Sequence, residues 1–299
     1  MDDLVTRMER VLGPVPGEDR RGALDVEVIE ETDCGDYRRQ LISYSAEPGG
    51  RTPAFLLLPK SDHPAPAMLA LHPTEHQVGH RVVVEPVGAR NRDYAHRLAQ
   101  AGFVVLAPAY PLMADHQPDL AALGYASGTM KAIWDNVRGL DLLEQLPEAA
   151  GDRFGAMGHS LGGHNAIFTA VFEPRISALV SSCGFDSFAD YMGGDLAGWR
   201  QDRYLPRLAD YERPPFDFDE MLAELAPRDV LISAPLGDDN FGWQSVDRMV
   251  ANARPAYQEH DAEERVIVLH PDCAHDLPDD VLARSIEFLG DGLGLHESP

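Results

Sequence analysis

A serine flanked by glycines is the residue in this sequence best suited to covalent chemistry. Ser160 is the central residue of Gly158-His-Ser-Leu-Gly162, which fits the pattern G-x-S-x-G. An apolar strand pattern precedes it, and a helix pattern over Leu161–Phe172 follows it. In such a strand–turn–helix the serine hydroxyl projects from a strained turn, and the two glycines remove Cβ atoms that would collide with neighbouring backbone. We therefore predict that Ser160 is a nucleophile.

A nucleophilic serine needs a general base, because its hydroxyl is a weak nucleophile at neutral pH. Where a serine stands on this kind of turn, the histidine follows the last strand of the sheet. His275 comes shortly after the strand predicted over residues 265–270 and just before the last predicted helix. We predict that His275 is the base, and that Cys273 beside it is a small packing residue.

The base in turn needs a carboxylate to orient its ring. Asp238 and Asp239 both follow the strand predicted over Asp229–Ala234. Neighbouring side chains in a turn point apart, so only one of the two can face the histidine. We favour Asp238, which lies four residues beyond the end of that strand, and keep Asp239 as the alternative.

An oxyanion formed at the reacting carbonyl needs two backbone N–H donors. Leu161 opens the helix after the serine and supplies the first donor. The second should come from the loop His72-Pro-Thr-Glu75, which follows the apolar run Ala67–Leu71. Proline has no N–H, so we predict that Thr74 is the second donor.

Strands alternate with helices along most of the chain, which indicates a mostly parallel sheet with helices on both faces. Leu24–Val28 and Tyr37–Ser45 read as an antiparallel hairpin in front of it, and Ile176–Ser182 reads as a buried strand. About eight strands are predicted in all. The sequence therefore indicates the α/β class with the architecture of an α/β-hydrolase fold. We see no linker and no repeat, so we predict a single domain over residues 1–299.

One insertion interrupts this pattern at about residues 185–228. It is rich in aromatic residues, at roughly twice the chain average of 8%. We predict a lid over an apolar pocket, in which two or three of these rings line the pocket and the others hold the insertion to the body. The aromatic residues are Phe185, Phe188, Tyr191, Trp199, Tyr204, Tyr211, Phe216 and Phe218.

The composition excludes several classes of partner. A net charge of −24 argues against nucleic acid and against anionic membrane surfaces. No run approaches the ~18 apolar residues of a membrane helix, and the acidic first twelve residues do not resemble a signal peptide. The three cysteines have no metal-binding spacing, so we expect a reduced, cytoplasmic protein.

Three histidines spaced by four residues, His72, His76 and His80, could bind a metal if they shared one face of a helix. Pro73 and Gly79 argue against a helix in this segment. We therefore expect neither a metal nor an organic cofactor.

Several motifs together resemble a known group of enzymes, the bacterial dienelactone-hydrolase-like and acetylxylan-esterase-like serine hydrolases of the α/β-hydrolase superfamily. In that group the aspartate at the position of Asp238 is the acid, which the resemblance implies here as well. True dienelactone hydrolases carry a cysteine at the position of Ser160, which argues against a dienelactone substrate. The resemblance spans about residues 50–290 and rests on His72-Pro-Thr74, Arg90-Asn-Arg-Asp-Tyr-Ala95, Ala101–Pro108, Gly158–Asn165, Ala226-Pro227, Ser233–Phe241 and Cys273-Ala-His275.

These observations predict a serine hydrolase that acts on a small-molecule acyl substrate, in the first place a carboxylesterase for small or medium esters. An acyltransferase, a thioesterase or cyclase, and a peptidase or amidase would use the same three residues and remain alternatives. A hydrolase fold kept only for ligand binding is the non-enzymatic alternative. A homodimer is compatible with the sequence.

Overall fold

A computed structural model describes residues 2–295, and its centre is one sheet. Within these residues the sheet has nine strands: β1 (Glu27–Asp33), β2 (Tyr37–Glu47), β3 (Gly50–Pro59), β4 (Ala65–Leu71), β5 (Val104–Pro108), β6 (Ala149–His159), β7 (Ile176–Ser182), β8 (Asp229–Ser233) and β9 (Val266–Leu269). Their order across the sheet is β1-β2-β3-β5-β4-β6-β7-β8-β9.

The six strands from β4 to β9 run parallel to one another, and β1 to β3 pair antiparallel at one side. This confirms the predicted α/β class with a mostly parallel sheet. The front hairpin differs from the prediction, because β1 begins at Glu27 rather than at Leu24, and the sheet has nine strands rather than about eight. β1 is an edge strand whose residues are nearly all exposed, so burial does not impose an apolar–polar alternation on it.

Seven α-helices cover the two faces of the sheet in the described residues. They are α1 (Leu4–Leu12), α2 (Tyr94–Gln100), α3 (Gly128–Glu144), α4 (Leu161–Phe172), α5 (Phe218–Glu224), α6 (Trp243–Gln258) and α7 (Asp279–Leu293). α2 and α7 share one core, and α3, α4 and α6 share the other. Strand β4 contributes to both, with Leu69 in one core and Met68 in the other. None of these described helices is long and apolar enough to span a bilayer.

The insertion lies between β7 and β8 and contains α5 with three short 3₁₀ helices, at Tyr191–Gly194, Leu196–Gly198 and Pro206–Asp210. Its inner part is an aromatic cluster in which Phe185 stacks on Phe218 with ring centroids 4.6 Å apart. Helix α1 anchors it from outside, because Arg7 pairs with Glu220 at 2.6 Å. The insertion is therefore packed against the body of the protein rather than extended from it.

The carboxyl ends of the parallel strands meet at one edge of the sheet, where ligands bind in open α/β sheets. Ser160 follows β6 directly, and the loop after β4 carries Thr74. Asp238 follows β8 and His275 follows β9. The topology thus brings the predicted functional residues to the same edge.

Candidate active site

The turn that carries Ser160 is strained and closely packed. Ser160 has φ 54° and ψ −120°, a conformation that costs a non-glycine residue about 1–3 kcal/mol. Its N–H donates to Ser182 O at 2.8 Å, which ties the turn to β7. A Cβ on either Gly158 or Gly162 would come within 3.0 Å of backbone atoms, so these positions tolerate only glycine. The serine therefore stands on the sharp strand-to-helix turn that the sequence predicts.

Two backbone N–H groups near Ser160 have no acceptor among residues 2–295. Leu161 opens α4, whose positive end faces the turn, and Thr74 lies in the loop after β4. Both residues line the same cleft as Ser160. Within residues 2–295 neither N–H donates a hydrogen bond. Both groups are thus available to an oxygen bound in the cleft.

The structure brings Asp238, and not Asp239, against His275. The His275 Nδ1 atom lies 3.0 Å from Oδ1 and 2.9 Å from Oδ2 of Asp238, so Nδ1 carries the proton and donates it. The Asp238 side chain is only 1% exposed, whereas that of His275 is 24% exposed. Asp239 faces solvent. The pair is buried at its carboxylate end and open at its imidazole end.

The Asp238 carboxylate is held in its charged form despite its burial. Burial alone would raise its pKa, but the hydrogen bond from His275 and the charge of that ring lower it. The backbone N–H groups of Asn240 and Phe241 add hydrogen bonds of 2.8 and 3.1 Å to Oδ1. The net result is a pKa for Asp238 below its ordinary value.

His275 lies beside the cleft that contains Ser160, although no hydrogen bond joins the two side chains within the described residues. The ring of His159, which precedes the serine, lies 4.9 Å from the His275 ring. Phe241 packs against His275 at 5.9 Å and also lines the cleft. Hydrogen bonds between a nucleophile and its base often tighten only when substrate binds, so this geometry is compatible with proton transfer between them.

Known proteins resemble this chain in sequence and in fold. Residues 65–190 match the model of the dienelactone hydrolase family. The chain is 25% identical over 262 residues to "Putative hydrolase YtaP" of Bacillus subtilis (strain 168), which covers 83% of this chain and 85% of that protein. A glucuronoyl esterase from Solibacter usitatus superposes with a TM-score of 0.74 at 19% identity, over 95% of this chain and 90% of that chain. The chain has the α/β-hydrolase fold. Acetyl xylan esterase 1 from Thermoanaerobacterium sp. superposes with a TM-score of 0.63 at 20% identity, over 99% of this chain and 100% of that chain.

These similarities confirm the predicted resemblance and the predicted class, a hydrolase with the α/β-hydrolase fold. The family match includes Ser160 but ends at residue 190, before Asp238 and His275. The roles proposed below for these two residues therefore rest on geometry, and not on the match.

The loop that carries His275 is fixed by two residues for which the sequence predicts no role. Arg92 donates to Asp276 Oδ1 at 2.6 Å and to His275 O at 3.2 Å, and Asn91 donates to Asp276 Oδ2 at 2.9 Å. Arg92 is buried, so this α/β hydrolase has a guanidinium directly behind its histidine loop. Their place in the motif Arg90–Ala95 is the sequence signal that could have identified them.

Cys183 is the neighbour of this pair that most resembles a metal ligand. Its Sγ, a carboxylate oxygen of Asp238 and a ring nitrogen of His275 all lie within 4.8 Å of one another. Burial, with the Asp238 charge as the next cause, raises the pKa of the Cys183 thiol, and Sγ donates to Asp276 O at 3.3 Å. A thiol that stays protonated is a poor metal ligand, so the hydrogen bond accounts for its position. Cys273 is half-buried, and its carbonyl accepts from Gly237 N at 3.0 Å.

The three histidines after β4 do not share one face. His72 is buried, with Nδ1 donating to Pro73 O at 2.7 Å and Nε2 accepting from Tyr110 N at 2.9 Å. His76 lies on the surface beside Arg203, and His80 belongs to a separate 3₁₀ helix. His72 therefore stabilises the loop that presents Thr74, and its ring nitrogens are already occupied.

The cleft at Ser160 is small, with a volume of about 100 Å³. A larger cavity of about 190 Å³ lies behind the Thr74 loop and does not contain Ser160. For comparison, an enclosed cavity of about 150 Å³ binds benzene, so the sheltered part of the cleft is no larger than a small organic group. Three of the eight aromatic residues of the insertion line it, Tyr191, Trp199 and Tyr204.

Proposed function

We propose that this α/β hydrolase is a serine carboxylesterase that cleaves small esters through an acyl-serine intermediate. The observation that carries the proposal is the hydrogen bond between Asp238 and His275 at the edge of the sheet where Ser160 stands on its strained turn. A serine, a partly exposed histidine and a buried carboxylate in this relation have the parts needed for nucleophilic acyl transfer.

The proposed first step is attack of Ser160 Oγ on the acyl carbon while its proton passes to His275 Nε2. The hydrogen bond from Nδ1 to Asp238 keeps the proton on Nδ1, so Nε2 is left as the acceptor. The negative charge of Asp238 then stabilises the imidazolium that forms. A base held in the wrong tautomer could not accept the proton, which is why the carboxylate is required.

The attack gives a tetrahedral intermediate, whose oxyanion is bound by the Leu161 and Thr74 N–H groups in the proposed mechanism. Its collapse breaks the ester bond, and the alcohol leaves with the proton of His275. Water then attacks the acyl carbon and gives a proton to His275. Release of the acid returns the proton to Ser160.

The small cleft supports small esters rather than bulky or macrocyclic substrates. We propose that the partner is a small-molecule acyl substrate and that no metal is needed. We also propose a cytoplasmic location, which the thiol state of Cys34, Cys183 and Cys273 supports.

The test is covalent labelling with an alkyl fluorophosphonate, read by intact mass, followed by ester hydrolysis. We expect one adduct on the wild type, none on Ser160→Ala, and a loss of esterase activity of about 10⁴-fold or more in that variant. Ser285→Ala is the control, because Ser285 is a fully buried serine in α7, away from the cleft. No adduct on folded wild type, or an adduct that persists in Ser160→Ala, would contradict the proposal.

Product analysis separates hydrolysis from acyl transfer. A hydrolase releases acid and alcohol in equal amounts through many turnovers. A single burst of alcohol without acid would instead indicate an acyltransferase that lacks its acceptor.

A further inference from the structure

Two buried nitrogen atoms in the wall of the cleft have no hydrogen-bond partner within residues 2–295. They are Nε2 of His164, one turn into α4, and Nε1 of Trp199 in the insertion. Both residues line the cleft with Ser160, and their rings lie 4.6 Å apart at an angle of 52°. The nearby hydroxyls of Thr74 and Tyr204 differ, because they lie 2.9 Å apart and pair with each other.

The protonation of His164 defines what its Nε2 atom can do. Its Nδ1 atom lies 3.1 Å from Gly184 O, and a carbonyl only accepts, so Nδ1 carries the proton. Burial lowers the pKa of His164 to about 3, and the ring is therefore neutral. His164 Nε2 is then an acceptor, whereas the indole N–H of Trp199 is a donor.

An acceptor beside a donor selects among the groups that the cleft could bind. A hydroxyl satisfies both, because its proton is donated to His164 and its oxygen accepts from Trp199. A carboxylate has no proton to give to the bare nitrogen, and a net charge of −24 does not favour an anion. An apolar group would leave both atoms unsatisfied away from water, which is unfavourable.

We propose that His164 Nε2 and Trp199 Nε1 bind a hydroxyl group of the substrate, so that the enzyme selects esters with a free hydroxyl near the scissile bond. Because both residues line the same cleft as Ser160, that hydroxyl would lie a few bonds from the reacting carbonyl. This inference rests on the proposed function, since it assigns a substrate feature to the same site.

The experiment compares esters that differ by one hydroxyl. On the acyl side, ethyl butyrate is paired with ethyl β-hydroxybutyrate, and on the alcohol side propyl acetate is paired with propanediol monoacetate. We expect the wild type to prefer the hydroxylated ester of at least one pair by about ten- to a hundredfold in kcat/KM.

Two variants then test the assignment to these atoms. Trp199→Phe removes the N–H donor but keeps a ring, and His164→Phe removes the acceptor. In each variant, kcat/KM for the hydroxylated ester should become nearly equal to kcat/KM for its partner ester in the preferred pair. This expectation does not depend on the absolute rate of the variant. Tyr257→Phe is the matched control, because the Tyr257 hydroxyl is also buried and unpartnered in the described residues but lies outside the cleft. It should keep the wild-type ratio.

Binding to Ser160→Ala, measured by calorimetry, gives a readout that needs no turnover. Tighter binding of the hydroxylated ester, by about tenfold, would support the site even if the wild type cleaved no ester and the proposed function failed. Equal kcat/KM and equal binding within both pairs would overturn the inference and leave the esterase proposal intact. A preference that survives in both phenylalanine variants would overturn it as well.

Discussion

Two buried aspartates follow neighbouring parallel strands, and their surroundings differ. Asp186 comes four residues after β7, and Asp238 comes five residues after β8. Asp186 accepts one hydrogen bond, from Gly242 N to Oδ2 at 3.1 Å, and its Oδ1 atom has no partner within residues 2–295. Asp238 accepts from His275 and from two backbone N–H groups. The same residue type at similar places thus has very different numbers of donors.

The consequence is an opposite shift of the two pKa values. Burial raises the pKa of Asp186 to about 7, the hydrogen bond from Gly242 N–H opposes this shift, and nearby carboxylates add to it. At Asp238 burial acts in that direction too, but the donors prevail and the pKa is lowered. Burial alone makes a carboxyl neutral, and only a carboxylate surrounded by donors can stabilise a positively charged histidine.

The largest expected effect comes from removing the charge of Asp238. In Asp238→Asn the amide can no longer hold His275 in the required tautomer, so we expect kcat for ester hydrolysis to fall by about 10⁴-fold. Asp239→Asn is the matched control and should change kcat less than about threefold, because that side chain faces solvent. Equal losses in the two variants would exclude Asp238 as the acid of the proposed mechanism.

A second variant disturbs the histidine of this pair without touching the carboxylate. Arg92→Gln loses the contacts to Asp276 and to the His275 carbonyl, so the imidazole is less well positioned. We expect kcat to fall by about ten- to a hundredfold with little change in KM, as for a small displacement of a catalytic group. Arg92→Lys should recover part of kcat, because lysine can still pair with Asp276.

The arginine prediction also has a contrary outcome. A purely structural Arg92 would lower the melting temperature and leave kcat of the folded fraction unchanged. Steady-state kinetics on material of known active-site content, titrated with fluorophosphonate, separates the two cases.

The sequence predicts the elements next to Ser160 well and the edge of the sheet poorly. α4 and β7 have the predicted bounds, because the elbow glycines and buried apolar runs leave little freedom there. β1 is displaced by three residues at its start, since an exposed edge strand need not alternate. The apolar–polar pattern of the sequence therefore predicts the bounds of an element best where that element is buried.

Contacts between side chains that are far apart in the sequence were harder to predict. The sequence favours Asp238 over Asp239 by its distance from the end of the preceding strand. The structure adds that β9 lies beside β8, so the loop that carries His275 is next to the loop that carries Asp238. The contacts of Arg92 with Asp276 and of His164 with Trp199 depend on how loops and the insertion pack. No periodicity or spacing encodes such contacts, so they required the structure.

The smallest expected effect concerns Asp186. It tests the difference in charge between the two aspartates through the free energy of unfolding rather than through activity. The Asp186 folded-state pKa of about 7 lies above the ordinary value of 3.8, so its protonated form stabilises the native state fully below that value. This contribution is lost as the pH rises towards 7. Above pH 7 the native state holds a charged carboxyl with a single donor, which Asp186→Asn would replace by a neutral amide.

We therefore expect Asp186→Asn to be more stable than the wild type at pH 8, by about 1–2 kcal/mol once water access and relaxation reduce the full effect of the shift. At pH 4 the two proteins should be nearly equal. Urea denaturation at both pH values, with Asp239→Asn as the exposed control, provides the measurement. A stability difference that stays constant between the two pH values would mean that Asp186 is charged throughout, and the two aspartates would then differ in position but not in charge.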